Sequence, residues 1–300
     1  MIEKTGFVAL VGLPNAGKST LVNAIIGEKV GIVSRKPQTT RSRVIGIYNT
    51  KDAQIAFVDS PGRVQAEQGL NHFLEKELIS VVKDADGILC ILNLDVPKKE
   101  ILMDLAEWSS QQGKPWAIVI NKTDLDNGNR ETKLRTDLLK YNVPVIAVRA
   151  IKMTQTMKEA ILELATAFCQ KSEAPLFEEN IYTTQQMRDL AAEIVREECF
   201  EYLHQEIPYG LAVKVVKYDE SSPTLTKIYV EILLAKENHL MMVLGNGGQM
   251  IKRIGTSSRI QLEKIIGHKV FLDTRVKVKE NWTRNPQIMK ELGYVIPEQI

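Results

Sequence analysis

A chain of 300 residues, 44% hydrophobic and 25% charged, has the make-up of an ordinary soluble globular protein, and its length favours two domains over one. No apolar run nears the roughly 18 residues of a membrane span, and the start, MIEKTGF, lacks the basic and apolar regions of a signal peptide, so an intracellular protein is expected. Cys90, Cys169 and Cys199 are widely spaced and flanked by apolar residues, which suits reduced core thiols and argues against a disulfide frame, a metal site or a catalytic cysteine. The net charge of +2 hides an uneven distribution. Glu178 to Leu240 holds six basic and twelve acidic residues, whereas Leu240 to Lys290 holds ten basic and three acidic. The later segment has the electrostatic footprint of a surface that meets phosphate backbones, provided its charges share a face. A solvated charged surface with no partner is the alternative.

In chain order, the predicted strands of the first half are Phe7 to Val11, Val44 to Tyr48, Gln54 to Asp59, Gly87 to Asn93, Trp116 to Ile120 and Val143 to Val148. Amphipathic helices separate most of them: Lys18 to Ile26, Leu70 to Val82, Ile101 to Gln111, Glu131 to Lys140 and Thr156 to Phe168. Such alternation predicts an α/β fold, a mainly parallel sheet with helices on both faces and ligands at the carboxyl ends of the strands. Lys171 to Asn180, with Pro175 and three acidic residues, reads as a linker. Beyond it the pattern changes to a helix over Thr184 to Leu203, ended by Pro208 and Gly210. Strands at Ala212 to Tyr218 and Lys227 to Leu234 follow, then short helices around GNGG and a last strand at Val270 to Val278. That is a smaller α+β domain. The expected division is a nucleotide-binding domain at 1–170, a linker at 171–183 and a second domain at 184–300.

The most informative stretch is GLPNAGKST, formed by Gly12, Leu13, Pro14, Asn15, Ala16, Gly17, Lys18, Ser19 and Thr20 between the first strand and first helix. A strand that ends in a Gly-rich turn and opens a helix aims backbone N–H groups and the positive helix end at one point, where an anion belongs. Lys18 supplies a point charge for the β- and γ-phosphates, and the Ser19 hydroxyl is placed to ligate the Mg²⁺ that bridges them. DSPG follows the strand IAFVD, so Asp59 lies at a strand tip to hold a water on that Mg²⁺, while the N–H of Gly62 reports on the γ-phosphate. NKTD follows WAIVI. Asp124 there can accept two hydrogen bonds from guanine N1–H and its amino group, and adenine would leave this charged acceptor unpaired, which selects GTP over ATP. Asn121 and the stem of Lys122 brace the phosphate loop and cover the base. Between these motifs SRKPQTTRSR reads as a switch whose Thr40, in preference to Thr39, completes the Mg²⁺ shell when the γ-phosphate is present. Lys18, Thr40 and Gly62 are thus the candidates for catalysis of GTP hydrolysis, by in-line attack of water with the loop amides steadying the transferring phosphoryl group. No side chain is an obvious general base, so turnover should be slow until a partner orders the switches.

In VLGNGGQMIKRIG, Gly245, Asn246, Gly247 and Gly248 join two helices, with Lys252 and Arg253 one turn further on. A G-x-x-G turn admits a sugar-phosphate backbone close to the main chain and clamps about four nucleotides of single strand. A plain helix-helix turn is the alternative, but the α-β-β-α-α-β order and the basic segment favour RNA binding.

Taken together, GLPNAGKST, KPQTTR, DSPG, NKTD, the PLF linker, AAEIVREE with the nearby IPYG, and LGNGGQMIKRIG resemble the Era family of bacterial GTPases over essentially the full length. The resemblance implies a P-loop GTPase domain followed by a type II KH domain. It implies GTP and GDP as ligands, and binding of the 3′ end of 16S ribosomal RNA during assembly of the 30S subunit. A cytoplasmic monomer with peripheral association to the inner membrane is the expected setting. Ala150 is carried over as a backbone N–H donor to guanine, and Asn15 as a residue favouring K⁺ beside the phosphates. Three positions depart from the family pattern. Arg63 replaces an apolar residue after DSPG and bears on how the attacking water is held. Arg149-Ala150 stands where a Ser-Ala pair is usual, which alters guanine affinity, and Asn246 replaces a common Lys, which flattens the salt dependence of RNA binding. Two other readings stay open: a nucleotide-gated RNA scaffold with negligible turnover, and a regulatory GTPase acting on protein or membrane partners.

Overall fold

The computed structural model describes residues 2–34, 36–64, 66, 68–126 and 128–294. Arg35 of the expected switch and the last six residues of the domain expected to end at 300 lie outside them. The chain forms two compact units, one comprising residues up to Ala66 with Leu74–Thr184, the other Gln185 onward with the stretch ending at Phe73.

The first unit is built on β1 (Lys4–Gly12), β2 (Val44–Asn49), β3 (Ala53–Asp59), β4 (Gly87–Asn93), β5 (Trp116–Asn121), β6 (Val145–Ala147) and β7 (Gln170–Lys171). Its helices are α1 (Lys18–Ile26), α2 (Gly69–Asp84, part of this unit from Leu74 on), α3 (Lys99–Ser110), α4 (Arg130–Leu138) and α5 (Gln155–Phe168). The sheet order is β2-β3-β1-β4-β5-β6, with β7 also paired to β1. β1, β3, β4, β5 and β6 run parallel, while β2 and β7 are antiparallel. Every residue of β3 and β4 is buried, as expected of parallel strands covered on both faces. Alternate side chains of β1 feed opposite layers: Val8 and Leu10 join Leu21, Ile25, Ile161 and Phe168, whereas Ala9 and Val11 join Leu78, Leu102, Leu105 and Leu138. This arrangement brings the carboxyl ends of β1, β3, β4 and β5 side by side.

The second unit contains α6 (Met187–Tyr202), β8 (Leu211–Ser222), β9 (Leu225–Leu234), α7 (Leu240–Leu244), α8 (Gln249–Ile266), β10 (Lys269–Val278) and α9 (Pro286–Glu291). The sheet order is β10-β9-β8; β8 and β9 are antiparallel, and β10 runs parallel to β9. Its core gathers Leu190, Ile194 and Cys199 of α6, Ile254 and Leu262 of α8, and Ile228, Val230 and Ile232 of β9. Trp282 is fully buried and donates its indole N–H to the Gly210 carbonyl at 2.9 Å.

Several element bounds differ from the sequence expectation for identifiable reasons. Pro144 has no N–H for the ladder, so β6 begins at Val145 rather than Val143. Thr183 bridges to Gly46 of β2 and donates its hydroxyl to the Ile45 carbonyl at 2.8 Å, so α6 starts at Met187 rather than Thr184. The stretch read as a linker begins inside β7 and stays attached to the sheet. Gln54 exchanges two hydrogen bonds with the Phe177 backbone (2.8 and 2.9 Å), and Ile47 N donates to the Tyr182 carbonyl at 2.8 Å. The β8–β9 hairpin runs on through polar residues to Ser222, where apolar periodicity gives no signal. All three cysteines are buried and unpaired, and burial pushes the thiols of Cys90 and Cys199 up to about 12.

Candidate functional site

Lys18 opens α1 immediately after Gly17, which adopts the left-handed conformation at φ 89°. A Cβ on Gly17 would run into the Asn121 amide, so the tight turn and the approach of β5 both require glycine here. Asn121 locks three segments together: its Nδ2 donates to the Ala16 carbonyl at 2.9 Å, and its Oδ1 accepts the Ala150 N–H at 3.1 Å. Lys18 is buried, and its Nζ donates to the carbonyls of Gly12 (3.3 Å) and Leu13 (3.1 Å). Pro14 faces Gly62 so closely that a Cβ on Gly62 would reach the Pro14 nitrogen at 2.5 Å. Asn15 adopts φ 63°, and Thr20 follows in the first turn of α1.

Beside the loop, Ser19, Thr40 and Asp59 form one hydrogen-bonded set. Ser19 Oγ donates to Asp59 Oδ2 at 2.5 Å, Thr40 Oγ1 donates to the same oxygen at 3.4 Å, and the two hydroxyls are 3.0 Å apart. Thr39 instead donates to the Lys36 carbonyl at 2.8 Å. Burial pushes the Asp59 carboxyl above its usual range, opposed by the Lys18 charge and the two hydroxyl donors. Its other oxygen, Oδ1, is buried with no hydrogen-bond partner among the described residues. A buried carboxylate with an unsatisfied oxygen and two adjoining hydroxyls is a donor set suited to a hard divalent cation such as Mg²⁺. Desolvation lowers Lys18 to about 8, against the attraction of Asp59.

At the other end of the site Lys122 adopts φ 60° and its Nζ reaches Asp95 Oδ2 at 2.7 Å. Asp124 lies in the short helical turn that follows, with one oxygen 3.8 Å from Arg149 Nε. Arg63 donates its backbone N–H to the Gly12 carbonyl at 2.9 Å and carries its guanidinium over the Trp108 ring, 5.2 Å from the centroid. Two contacts escaped the sequence reading. Asp95, which also accepts from Asn93, sits just past β4 in ILNLD, so a carboxylate following an apolar strand was the available signal. Arg43 anchors the end of the switch to α2, through Glu77 at 2.8 Å and Ser80 at 2.9 Å, and only tertiary placement reveals it.

In the second unit Gly245, Asn246, Gly247 and Gly248 link α7 to α8, and all three glycines have positive φ. Gly245 (φ 73°, ψ 173°) reverses the chain so tightly that a Cβ would lie 2.7 Å from Met250. Asn246 is exposed, as are Lys252 and Arg253 in the first turns of α8. The Arg253 guanidinium lies over Tyr202, 4.3 Å from its centroid. Among the described residues no helix is long and apolar enough to cross a membrane.

Comparison with known proteins agrees with this arrangement in both units. Residues 7–122 match the family model described as 50S ribosome-binding GTPase, and residues 206–283 match the KH domain model. A GTPase Era from Clostridium kluyveri is 35% identical over 97% of this chain and 99% of its own length, and one from Neisseria meningitidis is 35% identical over 97% and 94%. A crystal structure of an Aquifex aeolicus Era variant bound to GDP and AlF₄⁻ superimposes with a TM-score of 0.86 at 33% identity, covering 97% of this chain and 99% of that one. A crystal structure of Era with MgGDPNP and nucleotides 1506–1542 of 16S ribosomal RNA gives 0.88 at 32% identity, covering 98% and 99%. With a P-loop GTPase unit and a KH unit in one chain, and with relatives matched along nearly their whole length, the chain belongs to the Era family of GTPases.

Proposed function

We propose that this GTPase binds guanosine nucleotide between the Gly12–Thr20 loop and Asp124, hydrolyses GTP, and uses its KH unit to bind 16S ribosomal RNA near the 3′ end in the course of 30S subunit assembly. The observation that supports the nucleotide reading is the bonded set of Ser19, Thr40 and Asp59 next to buried Lys18, with Asn121 tied to both the phosphate loop and Ala150. Lys18 and the loop N–H groups stabilise charge on the transferring phosphoryl group, and Asp124 reads the base. Mg²⁺, held through Ser19, Thr40 and Asp59, would neutralise charge across the β- and γ-phosphates. Thr40 and Gly62, from the two segments flanking β2 and β3, are the groups placed to sense whether the γ-phosphate is present. Asn15 favours K⁺ beside the phosphates, supplying positive charge where other GTPases use an arginine. The Gly245–Gly248 turn with Lys252 and Arg253 supports the RNA reading, and so does the Era relative solved with a 16S fragment. A cytoplasmic monomer that associates peripherally with the inner membrane belongs to the same reading.

Single-turnover GTP hydrolysis with and without Mg²⁺ tests the first part. Lys18→Ala should abolish turnover, and rates that are equal in K⁺ and Na⁺ would remove the role given to Asn15. Filter binding of a single-stranded 16S 3′-end RNA across a salt series tests the second. An affinity that falls steeply with salt and is lost in Lys252→Ala/Arg253→Ala supports it, and no measurable RNA binding refutes it.

A further inference from the structure

The base-reading end of the first unit holds a charge pair that hydrolysis does not require. Arg149 Nε lies 3.8 Å from Asp124 Oδ1, within ion-pair range but beyond a hydrogen bond, and that nitrogen is buried with no hydrogen-bond partner among the described residues. Both side chains keep a path to solvent, with Arg149 40% and Asp124 28% exposed. The backbones beneath them are pinned. The Ala150 N–H is held by Asn121, Lys152 N donates to the Arg149 carbonyl at 2.9 Å, and Leu125 N donates to the Lys122 carbonyl at 3.0 Å. The main chain therefore holds the pair close, and only side-chain rotation can separate it.

We propose that Arg149 is a specificity-setting residue that covers Asp124 in the nucleotide-free protein, yields it to a base that offers two donors, and keeps it when the base offers none. The proposal rests on the reading of Asp124 as the guanine acceptor. Guanine must displace the guanidinium before its N1–H and amino group reach the carboxylate, so the pair weakens guanosine nucleotides. Adenine would ordinarily strand a partly buried carboxylate, which is the main source of discrimination against it. With Arg149 still in place that carboxylate stays paired, so the penalty on adenine is reduced. Arg149 acts on both sides of the comparison and narrows the gap between the two bases.

The test is the affinity of fluorescent GDP and ADP analogues for the full chain, for Arg149→Ser and for Arg149→Lys, at about 50 mM and about 500 mM sodium chloride. In Arg149→Ser, GDP should bind several-fold tighter, up to about fivefold for a partly exposed pair, and ADP no tighter than in the parent. The GDP-to-ADP ratio therefore rises. The gain should shrink at high salt, where the parent pair is already screened, and Arg149→Lys should remain near the parent. GDP binding that is unchanged or weaker in Arg149→Ser, or a common shift of both nucleotides by one factor, would overturn the proposal, because a merely structural role moves both together. Arg149→Gln provides the same comparison should the serine variant fail to fold. No preference for GDP over ADP in either the parent or Arg149→Ser would refute the reading of Asp124 itself. A parent with strong preference and no response to Arg149 would refute only the role given to the arginine.

Discussion

Lys18 carries a large electrostatic cost in the nucleotide unit, because its ammonium is withdrawn from water and faces two carbonyls and a carboxylate that burial itself disfavours. With a value of about 8 in the empty site, Lys18 is protonated below that pH and neutral above it. A bound phosphate stabilises the ammonium, so binding at higher pH must take up a proton. The sign follows: GDP affinity should be flat below pH 8 and fall as pH rises through the empty-site value, approaching tenfold per unit. Calorimetry in Mg²⁺-free buffers of differing ionisation enthalpy at about pH 9 measures it directly, and zero proton uptake contradicts it. The identities of Lys18, Ser19, Asp59 and Asn121 were readable from motif chemistry, since each sits at a strand end or helix start that fixes its direction. Lys122 was only half readable. Its place in NKTD was plain, but its tie to Asp95 depends on β4 lying beside β5. Arg63 likewise drew notice as a departure, yet only the packing of α3 explains why its guanidinium goes to Trp108.

Among the elements, local capping chemistry sets boundaries that hydrophobic periodicity leaves blurred. Thr154 caps α5 by accepting the Met157 N–H at 3.3 Å, and α5 in turn buries Ile161, Ala165 and Phe168. Thr154→Ala should cost about 0.5–2 kcal/mol in urea unfolding while leaving GDP affinity as it is. The α9 helix went unread in the sequence although Asn285-Pro286 carries its start signal, with Asn285 Oδ1 accepting two backbone N–H groups and proline in the first turn. Its short length gave too few apolar repeats to register. The Gly245–Gly248 turn separates two kinds of constraint. Gly245→Ala meets both a left-handed backbone and the Met250 main chain, whereas Gly247→Ala (φ 58°) points into open space. The first should lower the melting temperature and RNA affinity more than the second, whose cost is the backbone strain alone, about 1–2 kcal/mol. Equal losses would show that the Met250 contact is readily relieved.

Across the whole molecule, each unit encloses its own core, so damage to one should leave the chemistry of the other standing. Leu262 is fully buried in the KH core, and Leu262→Ala should remove about 2–5 kcal/mol there. RNA binding should then fail at a lower temperature than GDP binding. Loss of both at one temperature would show that the two units melt together. By itself the sequence determined the class of each unit, most of the order of its elements, and the motifs expected to grip phosphate, read guanine and turn between the KH helices. Those properties depend on residue type at short spacing, where backbone geometry leaves few choices. The tertiary structure decided what distant segments do to one another: the antiparallel return of β7 onto β1, the attachment of 177–183 to the sheet, and the direct hydrogen bonds by which Ser19 and Thr40 share one oxygen of Asp59. It also decided the approach of Arg149 to Asp124. Such contacts are set by how the chain closes its loops in three dimensions, and pattern along one dimension carries no record of that closure.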